Sequence, residues 1–553
     1  MDYNPREYLE QEIEQVIPYN GPSMKFSHIV SNDEGLREYQ SEMKREVYKL
    51  WDNVDNVMLQ MPTGTGKTIV FTSIVRDILK WCCLNSPDSK ILILAHRKEL
   101  IEQASKKLDK IPHGIIQSGK PMDLSRCVQV ASVQTFMSKK NYEVMRQERF
   151  DFIIIDEAHH SMAPGYQKLW IMYPNSKKLG VTATPWRMNH SGFTSLYDEI
   201  VLSKSIEWFV NNGYLSSYDY ISIKRNSNIQ RQINNINRYG IDGDYLESEL
   251  SNLFDRDKIR AELYKSYKQF AYGKKGIIYA IDRKHAANIC SLYSMKGVKA
   301  CMIDGTTSAN ERENLINSFR LGEIEVIVNV NIFSEGFDCP DIEFIQLARP
   351  TKSLSLYLQQ VGRALRVSDN KKSSIILDNV GLYNRFGTPM ANRYWYHHFL
   401  GTTACSDDYN DGTSIKRDIL FDVSEKETDY SEGDENMVVV EHAEEGKQIR
   451  DDMSNIAVTL ADYNIFRKNG LYGVCDKNNR TIIPPIYEDM HPYCNGYIPY
   501  KQNGKWGIML KNGIVKVKPK YYYIGPFIEG IAEVQNTMES PIYHINDKLE
   551  KIE

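Results

Sequence analysis

Short uninterrupted apolar runs recur along most of the chain, separated by longer stretches of mixed polarity. Val57-Met58-Leu59, Ile91-Leu92-Ile93-Leu94 and Phe152-Ile153-Ile154-Ile155 are the first three. Gly276-Ile277-Ile278-Tyr279-Ala280, Val326-Ile327-Val328-Asn329-Val330 and Ile375-Ile376-Leu377-Asp378 continue the series. Runs without polar alternation read as strands buried on both faces, the habit of a parallel sheet. After the first run, Ile69, Ile74, Ile78 and Trp81 follow at helical spacing. Tyr264-Lys265-Ser266-Tyr267-Lys268-Gln269-Phe270 offers aromatics suited to a helix face packed on a core, with base stacking as the alternative. The expected class is α/β with parallel sheets.

The pattern changes twice toward the C-terminus. Glu425, Glu427, Asp429, Glu432, Asp434 and Glu435 crowd into a segment with few large apolar residues, which reads as an acidic linker. Beyond it the chain repeats itself. Tyr472-Gly473 returns as Trp506-Gly507, Pro485 as Pro519, Tyr487 as Tyr521 and Gly496 as Gly530, each pair 34 residues apart. Asn469-Gly470 returns as Asn503-Gly504 at the same offset. This period would also suit a helical repeat. Asn-Gly, Pro-Pro and the run Thr481-Ile482-Ile483 favour hairpins and turns instead.

Size and composition narrow the class without settling it. A chain of 553 residues, 42% hydrophobic and 25% charged, can bury real cores and should hold about three or four domains. No apolar run is long enough to suggest a membrane span, and Met1-Asp2-Tyr3-Asn4-Pro5-Arg6-Glu7 lacks the form of a signal peptide. Nine scattered cysteines without a C-x-x-C pair support neither a zinc knuckle nor a disulfide framework, so the expected compartment is the cytoplasm. A net charge of −4 argues against a nonspecific basic coat, but a localised basic groove is compatible with it.

The candidate chemistry begins at Met61-Pro62-Thr63-Gly64-Thr65-Gly66-Lys67-Thr68. Strand, glycine turn and helix in this order let successive backbone N–H groups converge on a phosphate at a helix N-terminus. Lys67 is suited to reach the β- and γ-phosphates, and the Thr68 hydroxyl to hold Mg²⁺. Downstream, Asp156 and Glu157 end an apolar strand, where doubly wound sheets bind ligands. Asp156 is the candidate for Mg²⁺, and Glu157 for polarising the attacking water.

Asp156-Glu157-Ala158-His159 is a DEAH box, and residues 33–385 resemble the superfamily 2 helicases and translocases. Met61 stands where the general phosphate-loop pattern has Gly, a departure common in helicase-type ATPases. The resemblance implies two tandem RecA-like lobes, ATP and Mg²⁺ as cofactors, and nucleic acid as partner. It assigns Arg37 and Gln40, from Arg37-Glu38-Tyr39-Gln40, to adenine. Thr63, Gly64, Thr65, Gly66, Lys67 and Thr68 go to the phosphates, with Gly336 and Asp338 from Ser334-Glu335-Gly336-Phe337-Asp338 in the second lobe. Arg97, Gln134, Thr135 and Thr306 are implied nucleic-acid contacts, and Thr182 and Thr184 of Thr182-Ala183-Thr184-Pro185 the coupling element. Gln359-Gln360-Val361-Gly362-Arg363-Ala364-Leu365-Arg366 supplies Gln359 near the water and Arg363 and Arg366 as arginine fingers.

Within the superfamily, Gly336-Phe337-Asp338, Ala348-Arg349-Pro350-Thr351 and Ile375-Ile376-Leu377-Asp378 are similar to the RadD-like DNA-repair ATPases and to type I restriction motors. RadD-like proteins carry a cysteine-rich C-terminus, which this chain lacks. The C-terminal units resemble WG repeats, with Tyr472 in place of the first Trp. They read as a β-rich module that either caps the motor or binds a protein partner. The expected division is 1–30 extension, 31–205 first lobe, 206–260 interlobe segment, 261–390 second lobe, 391–455 acidic linker and 456–553 repeats. The expected function is an ATP-dependent helicase or translocase, on DNA rather than RNA, in repair, restriction or defence. The alternatives are a nucleotide-gated adaptor presenting the repeats, and an RNA remodeller.

Overall fold

The computed structural model describes Phe26, most of 29–401, the strand Met437–Ala443 and most of 456–552. Stretches left undescribed within these limits include 334–338, 477–480, 492–496 and 526–530. The expected 1–30 extension, the acidic residues 425–435, Gly336, Asp338, Gly496 and Gly530 therefore fall outside the described residues, apart from Phe26 and Ile29. The chain forms two compact units. One holds two parallel-sheet lobes, and the other holds the repeats with the helix Trp395–Leu400.

In the first lobe the strands are β1 (Asn56–Gln60), β2 (Ile91–Ala95), β3 (His113–Ile116), β4 (Val128–Ser132), β5 (Phe152–Asp156), β6 (Lys177–Thr182) and β7 (Glu199–Leu202). They pair in the order β3-β4-β2-β5-β6-β1-β7, every pair parallel. Ile91, Leu92, Ile93, Leu94, Ile153, Ile154 and Ile155 are fully buried, which explains the runs without alternation.

The second lobe repeats the plan with β8 (Tyr218–Ile223), β9 (Gly276–Tyr279), β10 (Ala300–Ile303), β11 (Val326–Asn329), β12 (Phe344–Leu347), β13 (Ser374–Asp378) and β14 (Met437–Ala443). The order is β10-β11-β9-β12-β13-β8-β14, parallel except for β14, which runs antiparallel to β8. Two strands lie in segments expected to be something else. β8 falls inside the expected interlobe segment, and β14 inside the expected acidic linker. The ladder explains both: Tyr218, Tyr220 and Ile223 are buried in β8, and Met437 and Val438 cover its outer edge. The aromatics of helix Asp257–Phe270 pack inward, with Tyr267 fully buried against Tyr293 and Phe344.

The repeat unit is built of three four-stranded antiparallel sheets. Tyr463–Lys468, Leu471–Asp476 and Thr481–Tyr487 correspond to Tyr497–Gln502, Lys505–Leu510 and Val515–Tyr521. A third, divergent sheet runs from Tyr523–Ile524 to Lys551–Ile552. The Tyr-Gly and Trp-Gly pairs sit at register shifts between strands. A Cβ on Gly473 would lie 2.5 Å from the Ile483 carbonyl oxygen, and one on Gly507 2.6 Å from that of Val517. Glycine is the residue that lets the neighbouring backbone come this close.

Candidate active site and nucleic-acid face

The C-terminal ends of the first lobe's strands carry the candidate residues, as expected for an open parallel sheet. After β1 the chain turns through Gly64 and Gly66, both at φ +90°, into the helix Lys67–Asn85. The bare backbone at Gly66 is required by Gln40, whose Nε2 would lie 2.3 Å from a Cβ there. Thr65 is buried, its hydroxyl donating to the Pro62 carbonyl (2.8 Å), and Thr63 lies partly exposed on the same loop. Lys67 donates to the Met61 carbonyl (3.3 Å), and Thr68 begins the helix beside it.

The element upstream is locked onto this loop. Gln40 donates to the Thr65 carbonyl (3.0 Å) and accepts from the Arg37 amide (3.0 Å), while the Tyr39 hydroxyl donates to the same carbonyl (2.8 Å). Arg37 lies over the Tyr214 ring at 5.0 Å. Tyr39 meets Trp208, Phe209 and Tyr214 edge-on, with centroids 6.2, 4.9 and 4.9 Å away. This aromatic wall was not anticipated from sequence. The only local signal for it was Trp208-Phe209 behind a Ser205 cap.

Asp156 ends β5 and Glu157 follows it. Asp156 accepts from the Glu157 amide (3.0 Å), and Glu157 adopts a left-handed φ of 51°, a strained setting for a residue with a side chain. Its carboxylate lies 3.4 Å from His159 Nδ1, which lies 3.1 Å from the Thr182 hydroxyl. That hydroxyl accepts from the Thr184 amide (3.1 Å). Thr184 in turn donates to Ser355 Oγ (2.9 Å), a fully buried bond that crosses from the first lobe to the second.

Ser355 belongs to the helix Leu354–Ala364, capped by Ser353, which also carries Gln359 and Arg363 on its buried surface. Asp244 holds the approach to this helix, accepting from the Thr351 hydroxyl (2.5 Å) and the Lys352 amide (2.7 Å). Nothing in the sequence pointed to Asp244. The helix lies against the phosphate loop, since the Gly362 carbonyl oxygen would be 3.9 Å from a Cβ on Gly64, and Cγ of Arg366, just past the helix end, 3.4 Å.

The electrostatics converge on Lys67. Burial pulls its ammonium pKa down, the Glu157 and Asp156 carboxylates oppose that, and Arg363 and Arg366 add to the fall. Two acids from one lobe and two guanidiniums from the other thus act on the charge of one lysine at a helix N-terminus. Such a donor set suits a polyphosphate with a divalent cation.

The candidate nucleic-acid residues are spread along the strand ends of both lobes. Arg97 follows β2 and donates from Nη1 to the Asn331 carbonyl of the second lobe (3.2 Å). Gln134 accepts from the Ser132 hydroxyl (2.7 Å) and donates to the His96 carbonyl (3.1 Å). The Thr135 hydroxyl accepts from the Ser118 amide (3.2 Å). Thr306 donates to Asp304 (2.7 Å) and accepts from Arg283 (3.1 Å). Burial would raise the Asp304 carboxyl, but the Thr306 and Arg283 donors outweigh it and hold the pKa down at about 2.

Comparison with known proteins agrees with this architecture. The family described as "Type III restriction enzyme, res subunit" matches residues 33–187, "Helicase conserved C-terminal domain" matches 257–368, and "WG containing repeat" matches 472–506 and 509–537. A "51.5 kDa protein" of Lactococcus phage (isolate 7-9) is 35% identical over 344 residues, covering 62% of this chain and 70% of that protein. The helicase-named protein IRC3 of Saccharomyces cerevisiae is 30% identical over 363 residues, 63% of this chain and 51% of its own length. The chain thus spans about half of that curated relative. The "DNA 3'-5' translocase XPB2" of Sulfurisphaera tokodaii is 27% identical over 68% of this chain and 87% of its own. Among solved structures, a fragment assigned as the HsdR subunit of a type I restriction enzyme from Vibrio vulnificus YJ016 shares the fold. Its TM-score is 0.51 at 19% identity, over 66% of this chain and 68% of that one. With both lobes, their order and the C-terminal repeats accounted for, the chain belongs to the superfamily 2 helicases of restriction-motor type and carries WG repeats after its second lobe.

Proposed function

We infer that the chain is a DEAH-box ATPase that moves along or separates DNA, using Mg²⁺ and ATP bound between the two lobes. The observation that carries this reading is the meeting of the two lobes at the phosphate loop, where Gly362 packs on Thr63 and Thr184 donates to Ser355, so that the helix bearing Gln359 and Arg363 faces the lobe that holds Lys67, Asp156 and Glu157. Arg37, Gln40 and the aromatic wall would hold the base, and Thr63, Gly64, Thr65, Gly66 and Lys67 the phosphates. Thr68 and Asp156 would hold the cation. The bound nucleotide supplies a scissile anhydride whose negative charge grows as the terminal bond breaks. Glu157 takes the proton from water, Gln359 orients that water, and Arg363 and Arg366 stabilise the developing charge from the opposite lobe. Such arginines are worth roughly 10³–10⁵ in rate in related reactions.

Because half of the site lies on each lobe, turnover is tied to lobe closure. Arg97, Gln134, Thr135 and Thr306 would contact a strand backbone, which positions the protein without reading sequence. DNA is favoured over RNA by the restriction-enzyme family match and by the likeness to a DNA translocase. The expected setting is repair, restriction or defence in the cytoplasm. Among the described residues no helix is long and apolar enough to cross a membrane.

Steady-state ATP hydrolysis tests the reading, measured alone and with single-stranded, duplex and forked DNA and with RNA. Lys67→Ala should abolish turnover, and Glu157→Gln should leave ATP bound and unhydrolysed. Wild-type turnover in both variants would overturn the site. Stimulation by RNA alone would identify an RNA remodeller. Indifference to every nucleic acid would favour a nucleotide-gated adaptor that presents the repeats to a protein.

A further inference from the structure

Three histidine rings lie in tilted contact, one after another, between the candidate nucleic-acid contact Arg97 and the candidate base Glu157. Arg97 Nε donates to His96 Nε2 (3.3 Å). The His96 ring lies 4.3 Å from that of His160, tilted by 60°. His160 in turn lies 4.1 Å from His159, tilted by 41°. His159 Nδ1 stands 3.4 Å from the Glu157 carboxylate. The chain of contacts is short because β2 and β5 are neighbours in the sheet, so the residues after both strands emerge side by side.

Resting on the motor reading above, we propose that His96 and His160 are positioning residues that transmit nucleic-acid occupancy at Arg97 to Glu157. The switchable element is Arg97 itself. In this structure its donors face protein acceptors, His96 Nε2 and the Asn331 carbonyl of the other lobe. A phosphate at Arg97 competes for those donors, because charge-assisted bonds to phosphate are stronger than bonds to neutral acceptors. Withdrawal of the guanidinium removes a cation from the His96 ring edge and frees that ring to re-pack. The displacement passes through His160 to His159, whose Nδ1 sets where the Glu157 carboxylate rests. Glu157 is poised for such a shift because its backbone is held in a left-handed, strained conformation that the surrounding contacts must maintain. Asn331, also left-handed at φ 56°, loses its Arg97 partner in the same step, which links the second lobe to the event.

The test uses the full chain and mixed-sequence single-stranded and duplex oligodeoxynucleotides. His160→Ala should lower the oligonucleotide-stimulated kcat about tenfold, within the usual range for coupling between sites. Basal hydrolysis, KM for ATP and oligonucleotide affinity should stay within about twofold of wild type. His160→Phe, which keeps a flat ring between its neighbours, should recover a large part of the stimulation. The double variant His96→Ala with His160→Ala should be no worse than the more impaired single variant, because both cut the same chain of contacts. Should His160→Ala fail to fold, His96→Ala reads the same quantity from the outer end of the histidine row. Equal falls in basal and stimulated rates, unchanged stimulation, or additive losses in the double variant would overturn the relay alone. A wild-type chain that no nucleic acid stimulates would overturn the motor reading, and the relay with it.

Discussion

Gly362 sits directly on Thr63: a Cβ placed on the glycine would lie 2.7 Å from Thr63 Cβ and 3.0 Å from its Cγ2. One residue belongs to the arginine-bearing helix of the second lobe, the other to the phosphate loop of the first. The absence of a side chain at 362 therefore sets how close Arg363 and Arg366 come to Lys67. Gly362→Ala should lower kcat about 10–100-fold, as expected when catalytic groups are displaced by about an ångström. Thr63→Gly in the same chain should restore part of the loss by clearing the space. Steady-state kinetics on the two single variants and the double variant would check this, and wild-type kcat in Gly362→Ala would refute it.

The bond between Thr184 and Ser355 is a buried polar link between the lobes. Ser355→Ala leaves the Thr184 hydroxyl without its acceptor, a loss of about 1–3 kcal/mol. If that link is made chiefly in the closed state, kcat should fall roughly tenfold or more while nucleotide affinity in Glu157→Gln stays unchanged. Thermal unfolding, ATP binding and turnover together separate this outcome from general destabilisation.

His285 is fully buried in the second lobe, where its Nδ1 accepts from the Ile281 amide (3.3 Å). Burial drives its pKa down to about 4, outweighing the upward pull of Asp255 and Asp282, while Arg260 lowers it further. The folded value lies below the unfolded one, so the neutral ring stabilises the lobe above about pH 6.5. That contribution is lost as pH falls toward 4. The loss should reach about 2 kcal/mol by about pH 5. Hydrogen exchange of helix Arg283–Met295 at the two pH values would show it, and His285→Asn should flatten the dependence.

Gly507 lies where the backbone of Val517 and the ring of Tyr500 close in, at 2.6 and 2.9 Å from a Cβ. Gly507→Ala should destabilise the repeat unit by about 1–3 kcal/mol through overpacking. Nucleic-acid-stimulated ATP hydrolysis should be unchanged if the repeats take no part in turnover. Thermal unfolding followed by Trp506 fluorescence, alongside the ATPase rate, distinguishes the two effects.

Much of this was legible because the relevant signals are local. The phosphate loop needs its glycines, lysine and threonine consecutively, and strand burial on both faces writes itself as an unbroken apolar run. The paired carboxylates end such a run, and the 34-residue offset exposes the repeats through matched pairs such as Gly473 and Gly507, where the neighbouring backbone comes close. Signals of this kind survive in one dimension because each concerns residues within a single turn or strand.

What the tertiary structure decided is everything carried by contacts between distant segments. β8 and β14 joined the second sheet because edge pairing and burial outweighed a segment composition that looked like connector. Tyr39 met Trp208 and Tyr214, Asp244 met Thr351, Thr184 met Ser355, and His96 met His160, each across a gap that no periodicity spans. The sequence by itself determined which candidate groups the chain carries, since the residues of each motif are consecutive or nearly so. The packing of two lobes determined where that chemistry meets, because a site divided between separate sheets exists only once their strand ends are brought together.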